Sequence, residues 1–174
     1  MQTFPTLYTP RLLLRKIGPD DIPALLKYAN NPKIAERIAN IPYPYPEPTA
    51  VFRISYVVQG FKKGIRYVFA IIEQEREELI GEISLNLSKD RKQAALGYWI
   101  GEPFWGQGIG TEALARVLKF GFTQLELQAV FANTHQDNRA SQRVLEKNGM
   151  EDRGLKGKNK EYGLTNSAYA AMIK

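Results

Sequence analysis

A glycine-rich stretch between an apolar segment and a helix-like segment constrains the fold of this chain most. Its glycines, Gly106, Gly108 and Gly110, alternate along the sequence. The apolar run at 94–100 just before them predicts a buried strand, and a helical pattern of apolar residues begins directly after them. Glycines let a backbone turn tightly and approach a ligand closely, and the free N–H groups of a helix N-terminus attract anions. The stretch therefore predicts a site for a phosphate or pyrophosphate.

Two other phosphate-binding loops do not fit this stretch. A P-loop needs a lysine and then a serine or threonine after its second glycine, and Gln107 stands in the lysine position. A dinucleotide-binding loop needs a third glycine where this chain has Thr111, and it belongs to the first βα unit of a domain. The sequence thus argues against nucleotide hydrolysis and against a dinucleotide cofactor. A flexible surface loop before a helix remains an alternative interpretation of the glycines alone.

Composition excludes several classes of protein. The 174 residues include no cysteine, which excludes disulfides, thiolate metal ligands and a cysteine nucleophile, and we predict no metal site. No apolar run approaches the roughly 20 residues of a membrane span, and no secretion signal is present, so a cytoplasmic location is expected. The net charge of +6 favours an acidic partner. No basic run is longer than two residues, so a nucleic-acid partner is not indicated.

The pattern of apolar residues predicts a single mixed α/β domain, of the α+β type, over residues 1–174. Strands are expected at 9–17, 65–72, 79–87, 94–100 and 127–133, and a final hairpin from 150 to the C-terminus. Helices are expected at 20–30, 50–62 and 138–147, with a short helical piece that ends at 38 and a helix that runs from the glycine loop to about 122. Thr49 and Asn138 are expected to cap the helices that follow them. The resulting order is β-α-α-β-β-β-α-β-α-β-β, a sheet with helices on both faces.

Three segments carry a resemblance to a known family. They are Thr9-Pro10-Arg11-Leu12 with Leu14-Arg15, Gly97-Tyr98-Trp99-Ile100 with Trp105-Gly106-x-Gly108, and Asn133-x4-Asn138-x2-Ser141 with the run 145–150. In order and spacing they resemble the GNAT (Gcn5-related) N-acetyltransferases, and within them the RimJ/RimL-type ribosomal-protein alanine acetyltransferases, from about residue 9 to 172. Trp105 departs from the glutamine or arginine that usually opens the family's coenzyme A loop. The resemblance implies the GNAT fold, with a central, mostly antiparallel, twisted sheet.

Acetyl-CoA is the cofactor that the resemblance implies. Backbone N–H groups would hold its pyrophosphate, from Gln107, Gly108, Ile109, Gly110 and Thr111. Its pantetheine arm would pair with the backbone of the strand end, at Trp99, Ile100 and Gly101. Asn133 and Asn138 would donate amide hydrogen bonds to the same arm. Arg139 and Arg143 are candidates for the adenosine phosphates, or they belong to a solvated helix face.

The proton donor for the leaving thiolate is predicted to be Ser141. Many members of the family use a tyrosine one turn later in the same helix, but this chain has Leu145 at that position. The RimJ/RimL-type branch often has a serine earlier in the helix, and Ser141 matches it. A serine in the first turn of a helix can instead serve only the free backbone N–H groups there.

The base that removes a proton from the acceptor amine has several candidates. Some relatives carry a glutamate where this chain has Asn133, so that route is absent. Glu82 lies on the polar face of its predicted strand and is the first candidate. The alternatives are Glu161 and Tyr169 on the predicted final hairpin, His135, whose ordinary pKa suits a base, and a water chain with no dedicated base.

The acceptor side is predicted from the proline-rich loop at 40–48. Tyr43 and Tyr45 alternate with prolines there, and in an extended segment their rings project to the same side. Tyrosine offers a large apolar face with a polar tip, so these rings are expected to wall the acceptor cleft. The alternative is that both rings fix the loop to the core.

Two functions of different class are consistent with the sequence. The first is an acetyl-CoA-dependent N-acetyltransferase that moves the acetyl group directly to a primary amine within a ternary complex. The amine belongs to a protein N-terminus or to a small molecule, and a homodimer is left open. The second is a non-catalytic acyl-CoA-binding sensor with the same fold. The intact coenzyme loop together with Ser141 favours the enzyme.

Overall fold

The computed structural model describes residues 3–174, and in that part of the chain it shows one sheet of eight strands with six α-helices and two 3-10 helices. The strands are β1 (Leu7–Tyr8), β2 (Leu12–Lys16), β3 (Arg66–Glu73), β4 (Leu79–Leu87), β5 (Gln93–Ile100), β6 (Ala129–His135), β7 (Glu151–Lys156) and β8 (Asn159–Thr165). The helices are α1 (Ile22–Tyr28), α2 (Pro32–Ala35), α3 (Glu47–Lys62), α4 (Ile109–Thr123), α5 (Arg139–Lys147) and α6 (Asn166–Met172), with 3-10 helices at Pro19–Asp21 and Glu102–Phe104. The strand order in the sheet is β1-β2-β3-β4-β5-β6-β8-β7.

Neighbouring strands in the described part are antiparallel except for β5 and β6, which run parallel. A parallel pair needs a crossover connection, and α4 supplies it. The predicted mixed α/β architecture with a mostly antiparallel sheet is therefore confirmed. Over residues 3–174, no helix has both the length and the hydrophobicity that crossing a bilayer requires.

The strand register shows which helices cover which face of the sheet, because successive strand residues point to opposite faces. Glu82 on β4 lies opposite Trp99 on β5, and Glu82 contacts Arg53 of α3. Tyr98, next to Trp99, points to the other face, where Gly110 of α4 closely approaches its ring. We call the first surface, covered by α1 and α3, the α3 face. The second, covered by α4 and α5, is the α4 face.

Helix α4 is held against the sheet by one apolar stripe. Its buried residues recur at helical spacing, so they all face the strands; they include Ala113, Leu114, Val117 and Leu118. Phe120 on the same helix packs edge-on against Tyr67 and Phe69 of β3. Each fully buried large apolar side chain stabilises the fold by about 1.5–3 kcal/mol. The glycine loop thus ends in a rigidly seated helix.

Strands β5 and β6 separate before they end. They are in register only from Gln93 and Ala129 to Leu96 and Ala132. Beyond that point β5 stays paired with β4, and β6 stays paired with β8. We call the resulting gap, bordered by residues 97–100 and 133–135, the fork. Backbone groups of β5 that point into the fork are left without a strand partner.

The C-terminal segment differs from the predicted hairpin. The hairpin ends with β8, and α6 follows it, begun by Thr165, whose hydroxyl accepts a hydrogen bond from the N–H of Ala168 at 3.2 Å. The segment is rich in alanine, the best helix former, which explains the helix. Tyr169 therefore lies on α6 instead of on a hairpin, where its ring stacks on Phe122 of α4.

Two other boundaries also differ. Helix α3 begins at Glu47, with Pro46 in the N-cap position and no side-chain cap, so the predicted cap at Thr49 is wrong. Pro48 falls in the first turn of α3, which accommodates proline because the N–H that it lacks would have no partner there. The first predicted strand, 9–17, begins only at Leu12, because the chain turns between β1 and β2, and the N–H of Thr9 donates to the carbonyl of Leu12 at 2.9 Å.

Candidate active site

A cavity of about 460 Å³ opens at the fork. Its lining comes from α2, the end of β5, the glycine loop, the end of β6 and the first turns of α5. The volume lies within the range of about 300–1,000 Å³ that small-molecule sites occupy. The glycine loop, Ser141 and both asparagines named from the sequence line this same cavity.

The glycine loop meets the cavity through a left-handed turn. Gly108 has φ +77° and is the N-cap residue of α4. A side chain at this φ is disfavoured, so the turn requires glycine. Gly108, Ile109, Gly110 and Thr111 line the cavity. Gln107 is turned aside, since its side-chain amide donates to the carbonyl of Pro103 at 3.0 Å.

A clamp from the beginning of the domain fixes this loop. Glu112 accepts hydrogen bonds from the Thr9 hydroxyl at 2.5 Å and from Nε of Arg11 at 2.7 Å. Nη1 of Arg11 also donates to the carbonyl of Gln107 at 2.9 Å. Burial of Glu112 opposes its ionisation, but the hydrogen bonds from Thr9 and Arg11 outweigh that effect and lower its pKa. The resemblance at Thr9–Arg11 signalled that the segment matters, but it did not reveal this contact.

The end of β5 forms one wall of the fork. Trp99 and Ile100 line the cavity. Nε1 of Trp105, the residue in the usual glutamine or arginine position, donates to the carbonyl of Ile100 at 2.7 Å. Gly101 lies outside the lining, and its N–H is engaged by the carbonyl of Ile80 at 2.8 Å. Of the three residues predicted to offer backbone groups to the pantetheine arm, Trp99 and Ile100 border the cavity and Gly101 does not.

The two asparagines have different surroundings. Asn138 caps α5 as predicted, since its Oδ1 accepts the N–H of Ser141 at 3.2 Å, and it also accepts from Nη1 of Arg37 at 3.4 Å. Its side-chain NH₂ remains available to a ligand. Asn133 is exposed at the fork. Arg37, which follows α2, thus reaches across the cavity to the start of α5.

Ser141 has a neighbour that the sequence did not single out. The hydroxyl of Tyr98 on β5 donates to Oγ of Ser141 at 3.1 Å. Burial raises the pKa of Tyr98, and the hydrogen bond with Ser141 only partly offsets that rise. Leu145, in the position of the family's usual tyrosine, is fully buried beside the same cavity. Strand alternation predicts that Tyr98 and Trp99 point to different faces of the sheet. The sequence alone could not show that Ser141 lies next to the Tyr98 hydroxyl.

Positive charge surrounds the cavity. Lys33, Arg37, Arg143 and Lys147 line it. Of the two arginine candidates, Arg143 lies at the cavity, whereas Arg139 lies outside the lining and contacts Gln142. Lys33 is held in place by Glu102, which also accepts from the Asn31 side chain at 2.6 Å. Cations at these positions suit the phosphate groups of a coenzyme.

The predicted base Glu82 does not reach the cavity. It is only 2% exposed on the α3 face, and Arg53 donates to Oε2 from Nη2 at 2.5 Å and from Nε at 3.1 Å. A buried carboxylate needs such a partner, because an unpaired charge there would be very costly. Glu82 thus forms a structural ion pair with Arg53. Its polar position in the strand pattern is the same for a structural and for a catalytic glutamate, so the sequence could not tell the two roles apart.

The remaining candidate bases are distributed around the fork. Glu161 on β8 lies opposite Asn133 of β6 and shares its face, with Lys156 at 2.6 Å. His135 lies at the end of β6, 3.5 Å from Asp137. Tyr169 packs under α4, away from the cavity lining. In the sheet register Glu161 and Glu82 both lie opposite a cavity residue, Asn133 and Trp99 respectively. Glu82 is buried and engaged by Arg53, so the half-buried Glu161 is the more accessible carboxylate.

The two tyrosines of the proline-rich loop are not equivalent. Tyr45 is only 4% exposed, and burial raises its pKa to about 12. Its N–H donates to Oδ1 of Asn30 at 2.9 Å, whereas Tyr43 is 55% exposed. The chain bends at residues 43–44 and does not remain extended, and one ring is buried while the other is exposed, so the two rings do not form a common wall. Neither ring is among the residues that line the cavity.

The sequence matches the family described as "Acetyltransferase (GNAT) domain" over residues 11–151. The uncharacterized N-acetyltransferase p20 of Bacillus licheniformis is 30% identical over 155 residues, which cover 86% of this chain and 84% of that protein. The chain belongs to the GNAT acetyltransferase family.

Further relatives support this GNAT assignment. The ribosomal-protein-serine acetyltransferase of Escherichia coli (strain K12) is 33% identical over 109 residues, 62% of this chain and 58% of that protein. The solved structure of RimL, a ribosomal L7/L12 alpha-N-protein acetyltransferase in complex with coenzyme A, superposes with a TM-score of 0.84 at 21% identity. The superposition covers 94% of this chain and 99% of RimL. At that identity the likeness concerns the fold.

GNAT enzymes use acetyl-CoA, and the residues of the cavity fit that cofactor. Gly108, in its left-handed turn, has no Cβ at the place where a pyrophosphate would approach the backbone. The lysine and arginine side chains of the lining match its phosphate charge. The fork leaves one edge of β5 open to an extended ligand arm.

Proposed function

We propose that the protein is an N-acetyltransferase that moves the acetyl group of acetyl-CoA directly to a primary amine. The observation that carries the proposal is that the coenzyme loop, the open edge of β5 and Ser141 all border one cavity at the fork. When bound, acetyl-CoA supplies an activated acetyl thioester. The chain must bind it, hold the amine beside it and manage two protons.

Backbone N–H groups at Gly108–Thr111 bind the pyrophosphate, and the clamp of Thr9, Arg11 and Glu112 keeps the loop in the binding conformation. Because these hydrogen bonds fix the conformation of the loop, little ordering is required on binding. Arg37 and Arg143 add charge-assisted contacts to the phosphate groups.

The fork positions the reacting end of the coenzyme. The backbone of Trp99 and Ile100 pairs with the pantetheine arm, and the side-chain amides of Asn133 and Asn138 donate to it. A backbone N–H of β5 that faces the fork stabilises the thioester oxygen as it gains negative charge.

Two protons have to move. Ser141 donates its hydroxyl proton to the sulfur that leaves the acetyl group, since it lines the cavity with its hydroxyl hydrogen available. Removal of the amine proton is assigned to a water molecule that Glu161 orients, in place of Glu82, which Arg53 engages. This assignment places the acid on the α4 face and the base on the α3 face.

The acceptor is proposed to be a protein N-terminus. The names of the ribosomal-protein acetyltransferase relatives support this class, and a ribosomal acceptor would also place the protein in the cytoplasm. On the α3 face of β5, Ala95 and Gly97 are exposed, so a polypeptide end has room to approach the fork there. The coenzyme loop belongs to α4, on the opposite face, so both substrates can be bound together, as direct transfer requires.

Thiol release from acetyl-CoA in the presence of N-terminal peptides or polyamines tests the proposal. We expect release that depends on the amine, with the peptide acetylated at its α-amino group by mass spectrometry. Polyamines as the better acceptors would overturn the protein class while keeping the N-acetyltransferase. Tight acetyl-CoA binding with no amine-dependent release would instead identify the chain as an acyl-CoA sensor, for which the replacement of the usual tyrosine by Leu145 is the supporting feature.

A further inference from the structure

Tyr98 and Ser141 come from two different elements and meet at the cavity. Tyr98 lies on β5 and Ser141 in the first turn of α5, 43 positions later in the chain. Both line the cavity, and the phenol donates to Oγ of the serine at 3.1 Å. The pair therefore joins the strand that borders the coenzyme arm to the helix that carries the proposed acid.

The hydrogen bonds of Ser141 leave its hydroxyl hydrogen unused. A serine hydroxyl has one hydrogen to donate and two lone pairs to accept with. Tyr98 occupies one lone pair, while Asn138 takes the backbone N–H and not the hydroxyl. Within residues 3–174 no acceptor for the hydroxyl hydrogen is present. Thr123 shows the contrast, because its hydroxyl donates to the carbonyl of Lys119 at 2.7 Å.

The ring of Tyr98 is held in place by the packing of α4 and α5. A Cβ on Gly110 would lie 3.4 Å from the Tyr98 ring and 3.7 Å from Val144. These are ordinary van der Waals distances, so the backbone of α4 packs directly beside the ring and Val144 of α5. Because burial raises its pKa, the phenol stays protonated and keeps donating to Ser141.

We propose that Tyr98 is a positioning residue that acts through Ser141, an inference that rests on the proposed function. Its hydrogen bond fixes the serine oxygen and leaves the serine hydrogen directed to the cavity. In the transfer step the O–H bond of Ser141 breaks and an S–H bond forms on the departing coenzyme A. The serine oxygen gains negative charge, which the phenol hydrogen bond stabilises, and water then returns a proton to the serine. Tyr98 itself loses no proton.

Steady-state kinetics of Tyr98→Phe, Ser141→Ala and the double variant test this inference. Tyr98→Phe removes only the phenol oxygen, and we expect kcat to fall about tenfold, the effect of one hydrogen bond of about 1.4 kcal/mol. The KM for acetyl-CoA should change less than twofold. In the Ser141→Ala background the same change should have no further effect, because the two residues act as one unit.

Tyr162→Phe is the matched control. Tyr162 is fully buried and its hydroxyl donates to Glu146 at 2.9 Å, but it lies outside the cavity lining. Its kcat should equal that of the wild type, with folding checked by circular dichroism.

If the wild-type protein transfers acetyl groups, two results would overturn the inference about Tyr98 and leave the proposed function standing. One is an unchanged kcat for Tyr98→Phe. The other is an equal loss in the presence and absence of Ser141, which would show that the phenol acts elsewhere. A wild-type protein with no amine-dependent thiol release would overturn the proposed function and the inference with it.

Discussion

Ser141 has two separate functions in the structure, one through its backbone and one through its side chain. Its N–H is capped by Asn138, which stabilises the first turn of α5, and its hydroxyl meets Tyr98 at the cavity. The two interpretations that the sequence allowed for this serine therefore apply to different atoms of the same residue. Replacing the side chain leaves the backbone cap intact, so a mutation can separate them.

We expect Ser141→Ala to lower kcat by about 10²-fold with little change in the affinity for acetyl-CoA, because only the proton donor is removed. Steady-state kinetics and calorimetry measure the two quantities. Ser167→Ala is the control, since Ser167 is an exposed serine in the first turn of α6. A kcat within a few-fold of the wild type would assign Ser141 to the helix terminus alone.

Glu112 gives a prediction for pH. Its pKa is lowered in the folded protein by the hydrogen bonds from Thr9 and Arg11, against the effect of burial. A group of this kind stabilises the fold above its ordinary pKa of 4.5, and the stabilisation is lost as the pH falls through the lower folded value. Glu112→Gln should therefore be less stable than the wild type at pH 7, by about 1 kcal/mol, and should bind acetyl-CoA more weakly.

Urea unfolding at several pH values checks this difference, which should narrow as the pH falls below 4.5. Glu36→Gln is the control, because Glu36 is exposed and forms no ion pair with any residue that the structure describes. A difference that stays constant with pH would show that the charge of Glu112 is not what fixes the loop.

Sequence reasoning at this scale found residues whose role depends on a local motif. The glycines, Asn138 and Ser141 belong to short patterns that resemble family motifs, and the structure brings them to one cavity. Glu82 and Tyr98 required knowledge of contacts between distant segments. A polar residue in a strand looks the same in sequence whether it faces a cavity or an arginine such as Arg53.

At the scale of elements, the loop before α4 depends on backbone conformation. Gly108 sits at φ +77°, and among residues 3–174 the atom that a Cβ placed there would meet within 4 Å is Nη2 of Arg11, at 3.5 Å. Space is therefore available, and the constraint is the left-handed conformation itself.

Gly108→Val should abolish measurable binding of acetyl-CoA by calorimetry, because a β-branched residue costs about 1–3 kcal/mol at positive φ and moves the loop. Gly18→Val is the matched control: Gly18 has an extended backbone with φ −146°, and a Cβ there would meet nothing within 4 Å. A folded Gly108→Val protein that still binds acetyl-CoA with wild-type affinity would refute the assignment of the loop.

The proline-rich loop gives a second prediction for an element. Tyr45→Ala should destabilise the protein by about 3 kcal/mol, since it removes a buried aromatic side chain. Tyr43→Ala should leave the melting temperature unchanged, because the ring is exposed, and should raise the KM for the acceptor but not for acetyl-CoA. Equal losses of melting temperature in the two variants would contradict this separation. An unchanged acceptor KM for Tyr43→Ala would remove Tyr43 from the acceptor site.

For the whole molecule, the order of the elements along the chain could be predicted, but the way the strands pair in the sheet could not. Alternating and helical patterns each identify one element at a time, so they predicted the five strands from 9 to 133 and the helices between them. The fork depends on how far β5 and β6 stay in register, which no single segment encodes. The predicted hairpin at 150–174 was too long, because the short alanine-rich helix α6 follows β8 directly and was counted as part of the hairpin.

The fork has a consequence for how the protein unfolds. Strands β2 to β5 are neighbours both along the chain and in the sheet, and β6, β8 and β7 form a second local group. The two groups are joined by α4, by the short parallel register between Gln93 and Leu96 of β5 and the start of β6, and by contacts such as that of Tyr98 with Ser141. The two groups are therefore two units of the sheet connected through a short parallel register, and we expect local opening to begin there. A coenzyme seated in the fork touches both units, so by mass action its own concentration in the cell sets how firmly the two halves of the protein stay together.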